Sequence, residues 1–261
     1  HIANATLDEV KDFFFRFYAP NNAVLAVTGN ISFEETVALT EKWFASIPKR
    51  DVPVRQLPQE PAQTEERRLV VERNVPIDSL FMAYHMCERA HPDYYAFDIL
   101  SDILSNGKSS RLNRHLVQEK QLFSSIDAYI SGTVDAGLFH ISGKPAAGVS
   151  LEEAETAVRE ELNRLQNEAV TVQELEKVKN KFESTQIFGN INYLNVATNL
   201  AWFELNGAAE DMEKEVERYR SVTAGQLQAV AQTSFDKRNG VVLYYKGLSP
   251  AVSVREGVKL D

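Results

Sequence analysis

Apolar positions along this chain follow two rhythms. Behind Thr6 they recur at helical spacing, at Leu7, Val10, Phe13, Phe14 and Phe17, and behind Ser150 at Leu151, Ala154, Val158, Leu162 and Leu165. Five helix starts pair a hydroxyl residue with Glu or Gln three places on: Thr6 with Glu9, Ser32 with Glu35, Ser150 with Glu153, Thr171 with Glu174, and Thr223 with Gln226. That spacing predicts helix N-termini, because the two side chains can satisfy backbone N–H groups that the first turn leaves without partners. Between the helices, runs rich in β-branched and aromatic residues predict strands over 23–28, 68–71, 79–86, 124–133, 138–143 and 241–245. Helices and strands segregated in this way, with a hairpin-like pair around Tyr129 and Leu138, predict an α+β fold of stacked layers.

The stretch from Pro48 to Glu66 holds four of the nine prolines and many charges, and reads as a linker. An internal repeat flanks it. TLDEVKDFFFRFYAPNNAVLAVTG, starting at Thr6, lies without gaps on TAGQLQAVAQTSFDKRNGVVLYYK, starting at Thr223; Tyr18 meets Phe235 and Asn22 meets Asn239. Each copy reads as a capped helix, a polar turn and a buried strand. The chain is therefore expected to hold duplicated layered α/β domains, one complete copy plus the end of another. Residues 1–48 would close the first domain, 49–66 would link, and 67–261 would form the complete second domain.

Composition narrows the function classes. A net charge of -9 over 261 residues provides no global field for nucleic acid. No apolar run approaches the roughly 18 residues of a membrane span, and the N-terminus shows no signal-peptide pattern. The expectation is a soluble chain of unassigned compartment, with no nucleic-acid partner and no membrane span. One cysteine, Cys87, excludes an internal disulfide and any multi-cysteine metal site. The first residue is His1 rather than Met, as in a processed chain or a piece of a longer one.

The one crowding of metal-ligand residue types is HMCERAH, His85 to His91. An inverted zinc-peptidase motif needs histidine directly after the glutamate, where this chain has the cation Arg89. His91 precedes Pro92, which disfavours helical backbone at His91, so the two histidines cannot share a helical face. LFMAYHM reads instead as a strand running into a turn, with Pro92 as first residue of the next helix. His115 and His140 have no acidic residue at ligand spacing. No phosphate loop and no Gly-x-Ser-x-Gly elbow is present, and pairs such as Glu152-Glu153 and Glu160-Glu161 read as solvated helix faces. No catalytic residue and no metal ligand is expected in this chain.

Three stretches carry a resemblance: FYAPNNAVLAVTGNISFEETVALTEKWFASIP, HPDYYAFDILSDILSNGKSSRLNRHLVQEKQL and EAVTVQELEKVKNKF. In this order they resemble the pitrilysin/insulinase family of zinc peptidases, which includes the mitochondrial processing peptidases. The resemblance implies two homologous α+β domains per half-molecule, with two halves forming a chamber around an unfolded peptide. It also implies a zinc site of the form H-x-x-E-H, in which zinc lowers the pKa of bound water and the glutamate takes its proton. In the family that motif lies ahead of the part matched by this chain. Zinc is thus expected in the full-length protein, a metalloendopeptidase, and none in this chain, which alone should be inactive.

The same resemblance bears on individual residues. Many members carry an arginine and, seven residues later, a tyrosine that hold substrate; Val117 and Ser124 occupy those places here. Neither supplies a charge-assisted, bidentate bond, and a serine hydroxyl is a weak substitute. This implies completion in trans by a homo- or heterodimeric partner carrying the Arg/Tyr pair; a wholly non-catalytic peptide-binding or structural subunit is the alternative. Arg111, in the Ser-Ser-Arg-Leu turn, is a candidate contact to substrate or partner, although a structural pairing at the helix start is the favoured reading. Ser124 is a second candidate. Phe15 is a third, from an aromatic cluster wider than one helical stripe, and an exposed apolar patch is expected around it.

Overall fold

The computed structural model describes residues 2–54, 56–58 and 60–248. Arg55 and Gln59 of the expected linker, and the end of the expected second domain beyond Leu248, lie outside the described residues. The chain divides into two compact units. One comprises the described residues up to Ala62 together with Lys181–Arg218, the other Gln63–Asn180 and the residues from Tyr219 on. These units do not follow the sequence boundaries at 48 and 66, since Lys181–Arg218 groups with the N-terminal stretch. No helix among the described residues is long and apolar enough to cross a membrane.

The larger unit is built on a five-stranded sheet. Its strands are β1 (Arg67–Arg73), β2 (Ser79–Met86), β3 (Phe123–Ser131), β4 (Gly137–Pro145) and β5 (Gly240–Gly247), in the order β1-β5-β2-β4-β3. β1 and β5 run parallel and every other pair is antiparallel. Helices α3 (Tyr94–Ser105), α4 (Leu151–Asn167) and α8 (Ala224–Ser234) cover one face. Alternation along each strand selects what they cover. From β2 it is Leu80, Met82, Tyr84 and Met86, from β4 Phe139 and Ile141, and from β5 Val242 and Tyr244, all buried. Five of the six strands expected from sequence are present, and the α+β class stands.

Charge closes one corner of this layer. Arg68 on β1 binds the Glu155 carboxylate of α4 through two nitrogens, at 3.0 and 2.6 Å, and Arg159 adds a bond to Glu155 at 2.7 Å. The Tyr244 hydroxyl donates to the same carboxylate at 2.5 Å. Burial alone would raise the Glu155 pKa, but Arg68, Tyr244 and Arg159 outweigh it and hold it at about 2.

The smaller unit contains α1 (Leu7–Phe17), α2 (Phe33–Phe44), α6 (Tyr193–Asn206), the C-terminal part of α5 (Val172–Gly189) and most of α7 (Asp211–Ser221). Among its described residues only Ala19, Phe203 and Glu215 are buried. Phe13, Phe14, Phe15, Leu25, Phe33 and Trp43 are all exposed. The strand expected over 23–28 is not formed. Ala23 has extended backbone, φ -137° and ψ 145°, but no neighbouring strand among the described residues bonds to the segment. A run of VLAV is a strand only when another strand takes up its N–H and C=O groups.

All five sequence-read caps form. Each hydroxyl accepts from the N–H three residues on. At Thr6, Thr171 and Thr223 the Glu or Gln also accepts the cap residue's own N–H, completing the reciprocal pair. α6 begins on a different device, Asn192, whose side chain accepts from Leu194 and Asn195.

Candidate functional site

The stretch that follows α3 carries two of the three candidate residues, Arg111 and Ser124, each bonded to a different partner. The Ser105-to-Ser110 turn passes through Gly107 at φ 90°, a conformation glycine adopts without strain. Ser110, fully buried, donates its hydroxyl to the Gly107 carbonyl at 2.7 Å. Arg111 follows, and its Nε and a terminal nitrogen form two parallel bonds to Glu174 at 2.8 and 3.0 Å. Glu174 is also the carboxylate of the Thr171 cap, so one side chain caps α5 and clamps Arg111. The Arg111 bonds lead in holding the Glu174 pKa down to about 2, against the opposing effect of burial. Lys177 adds a bond to the Ser109 hydroxyl at 2.9 Å.

Beyond Arg111 the chain winds as a π-helix over Asn113–Glu119, with Lys120 N–H reaching back to His115 O at 2.9 Å. It leaves this helix through Gln121 at φ 53°, a left-handed non-glycine position. His115 on the π-helix meets Glu161 of α4, Nδ1 to Oε2, at 2.8 Å. The Glu161 side chain has no exposed surface, and Arg164 lies within 3.0 Å of its other oxygen, a charge contact without hydrogen-bond alignment. The pair His115–Glu161 spans 46 positions in sequence. Local spacing around His115 carries no sign of it, and only the helical stripe of α4, which turns Glu161 inward beside Leu162 and Leu165, could have suggested a buried partner.

Ser124 stands at the start of β3, where the register with β4 slips between Phe123 and Ser125. Its hydroxyl donates to the Lys144 carbonyl at 3.1 Å. The hydroxyls of Ser110 and Ser124 thus both donate to backbone carbonyls rather than to a general base. Phe15 lies in the smaller unit, 57% exposed, with the Arg50 guanidinium 4.8 Å from its ring centre and Phe14 against its edge. The exposed aromatic patch expected there is present.

HMCERAH divides between the end of β2 and a turn. The His85 carbonyl accepts from Asn239, and the His91 ring Nδ1 accepts the Asp93 N–H at 3.1 Å. Arg89 lies over the Tyr94 ring at 4.2 Å and near Tyr95 at 5.2 Å. Pro92 sits in the turn rather than as the first helical residue, since Asp93 takes the N-cap and Tyr94 opens α3. The His91 carbonyl accepts the Tyr94 N–H, which fixes that turn. Among the described residues no three side chains of His, Cys, Asp or Glu gather as metal binding requires, so no residue here is assigned to zinc.

Residues 4–182 match the family model described as the peptidase M16 inactive domain. The chain belongs to the peptidase M16 family. Over 181 residues the M16 chain is 30% identical to the zinc protease PqqE of Helicobacter pylori, covering 68% of this chain and 41% of that protein. Its fold is similar to the crystal structure of a protease from Helicobacter pylori, with TM-score 0.87 and 25% identity over 94% of this chain and 60% of that one. It is also similar to the M16 inactive domain from Pseudomonas fluorescens, with TM-score 0.80 and 21% identity over 94% of this chain and 58% of that one. The M16 chain spans about half the length of the curated relatives it matches. The family is the one its three sequence stretches resemble, and the relatives' names are those of zinc proteases.

Proposed function

We propose that this chain is the C-terminal part of a zinc-dependent metalloendopeptidase that hydrolyses peptides in a closed chamber. Its own part is to enclose substrate and to contact the second half of the molecule. The observation that carries the reading is the uncovered face of the smaller unit. Segment 23–28 has no partner strand among the described residues, and Leu25 and Val27 line an open groove with Phe33 and Val37 of α2; Phe13, Phe14 and Phe15 of α1 stand exposed as well. Relatives about twice as long contain the additional chain that would cover such a face. In the larger unit, by contrast, the same helix–turn–strand sequence is fully paired.

On this proposal residues 1–48 complete the zinc-bearing domain, 49–66 link, and 67–261 form the second, zinc-free domain. Zinc in the full-length protein would supply a Lewis acid and an activated water. The residues present here would position chain and substrate rather than move protons. Arg111, locked to Glu174, would set the path from α3 into the π-helix, and Ser124 would stand at the mouth of β3.

The alternative is a peptide-binding or structural subunit without chemistry, and one observation favours it. The Ser124 hydroxyl, which the resemblance left as a weak substitute for a substrate-holding tyrosine, is spent on the Lys144 carbonyl. Cleavage of an unstructured peptide by the full-length protein, alone and with a second family half that carries the Arg/Tyr pair, separates the two. Chelator-sensitive cleavage that requires the second half supports the peptidase. Full-length protein that binds peptide but cleaves nothing under either condition supports the alternative.

A further inference from the structure

The sheet has a second face that the helices leave open. Arg68 and Tyr244 point to α4, so alternation puts Arg67, Leu69, Val241 and Leu243 on the opposite side. The pairing registers then set two rows across the strands. One runs Leu69, Leu243, Phe81, Ser142, Asp127; the other runs Arg67, Val241, Ala83, His140, Tyr129. Between Arg67 on one edge strand and Asp127 on the other, neither row carries a fixed charge, in a chain whose net charge is -9.

The middle of these rows is a shaped hollow. Phe81, Ala83, Tyr129, His140, Val241 and Leu243 line a cavity of about 180 Å³. That is below the ~300 Å³ at which sites for free small molecules begin, and it suits one large side chain of a longer ligand. Tyr129 and His140 form a wall, their rings stacked at 4.8 Å and 16°. Burial lowers the pKa of His140, which keeps the imidazole neutral at pH 7 and the hollow uncharged. Phe81 is held from the far side by the edge of Tyr245 at 6.4 Å.

We infer that this open face is a subsite for an extended peptide, with the hollow between Phe81 and His140 taking an uncharged aromatic or branched aliphatic side chain. The inference rests on the chamber reading and adds to it the class of side chain that the second domain selects. An acidic or basic side chain would lose hydration there and meet no opposite charge among the lining residues.

The test is fluorescence anisotropy on this chain with a dye-labelled Gly/Ser peptide bearing one central phenylalanine, and with the same peptide bearing aspartate instead. The phenylalanine peptide should bind at least tenfold more tightly. Phe81→Ala and Ser142→Lys should each weaken it about tenfold, with unchanged circular dichroism, while Val172→Ala, on an exposed helix position, should leave it unchanged. Ser142→Lys keeps every apolar contact, so it guards against a folding defect in Phe81→Ala. Equal binding of both peptides, or binding untouched by both face variants, would overturn the subsite. So would sedimentation showing that wild type self-associates and Phe81→Ala does not, since the face would then belong to a second copy. No cleavage is read, so failure here leaves the zinc-peptidase reading standing, and failure of that reading leaves this result standing.

Discussion

The side-chain amide of Asn239 donates to the carbonyl of Ser234 at 2.9 Å, closing the end of α8. Asn22 makes the same bond to Phe17 at 2.8 Å, closing the end of α1. These are matching places in the two copies of the repeat, as are the N–H bonds of the C-cap residues, Tyr18 to Phe14 and Phe235 to Ala231. Each copy also carries the reciprocal threonine cap at its start. Beyond the turn the copies part. Gly240–Gly247 enters the sheet between β1 and β2, whereas 23–28 pairs with no strand among the described residues.

This difference sets the cost of losing each asparagine. Asn239 makes a second, part-buried bond to the His85 carbonyl at 2.9 Å, so Asn239→Ala should cost about 2 kcal/mol by leaving buried acceptors unsatisfied. Asn22 is exposed, and Asn22→Ala should cost about 0.5–1 kcal/mol. Urea denaturation of both variants measures the two values; equal losses would contradict the asymmetry.

Acid should weaken the clamp on Arg111. The Glu174 pKa falls from 4.5 to about 2 on folding, so its contribution is complete above pH 4.5 and is lost as pH drops through about 2. Glu155 behaves likewise over the same window. Stability measured between pH 5 and pH 2 should therefore fall in wild type and fall less steeply in Glu174→Gln, which has already lost the charged pair. A Glu174→Gln slope identical to wild type would show that the clamp carries no linkage.

The β3–β4 hairpin depends on one glycine. A Cβ on Gly137 would overlap the carbonyl oxygen of Ser131, a backbone atom that cannot turn aside. Gly137→Ala should destabilise the chain by about 1–3 kcal/mol, as overpacking does. Gly189, with open space around its Cα, serves as the reference, and Gly189→Ala should be neutral or slightly stabilising. Thermal melts of the two variants decide between these outcomes.

Phe15 separates this chain from the full-length protein. Here it is exposed apart from Arg50 and Phe14, so Phe15→Asp should change the stability of this chain by less than about 0.5 kcal/mol. In the full-length protein, where the proposed first domain covers it, the same change should cost about 3 kcal/mol or more as a charge placed in a core. Equal effects in both would mean that Phe15 stays at the surface.

Much of this fold was legible because its determinants are local. Thr6, Ser32, Ser150, Thr171 and Thr223 each reach a group three residues away, so their spacing alone announces the helices. The strand expected at 23–28 does not form among the described residues, because VLAV encodes a preference while a strand also needs a neighbour. Arg111 was half legible: its structural role was favoured, but Glu174 as its partner lies 63 positions on. Glu160-Glu161 reads as a solvated helix face, yet Glu161 is buried against His115, because the packing of α4 on the π-helix joins residues 46 positions apart. The resemblance carried the family, and the family model over residues 4–182 agrees with it.

Zinc content, measured by elemental analysis after dialysis against zinc-free buffer, bears most directly on where the chemistry lies. The full-length protein should retain about one zinc per chain, as a single three-ligand site requires, and this chain should retain close to none. Full-length protein without zinc would contradict the metallopeptidase. A zinc bound to this chain would contradict the placement of the metal in the first domain, and would make His85, Glu88 and His91 the first residues to replace.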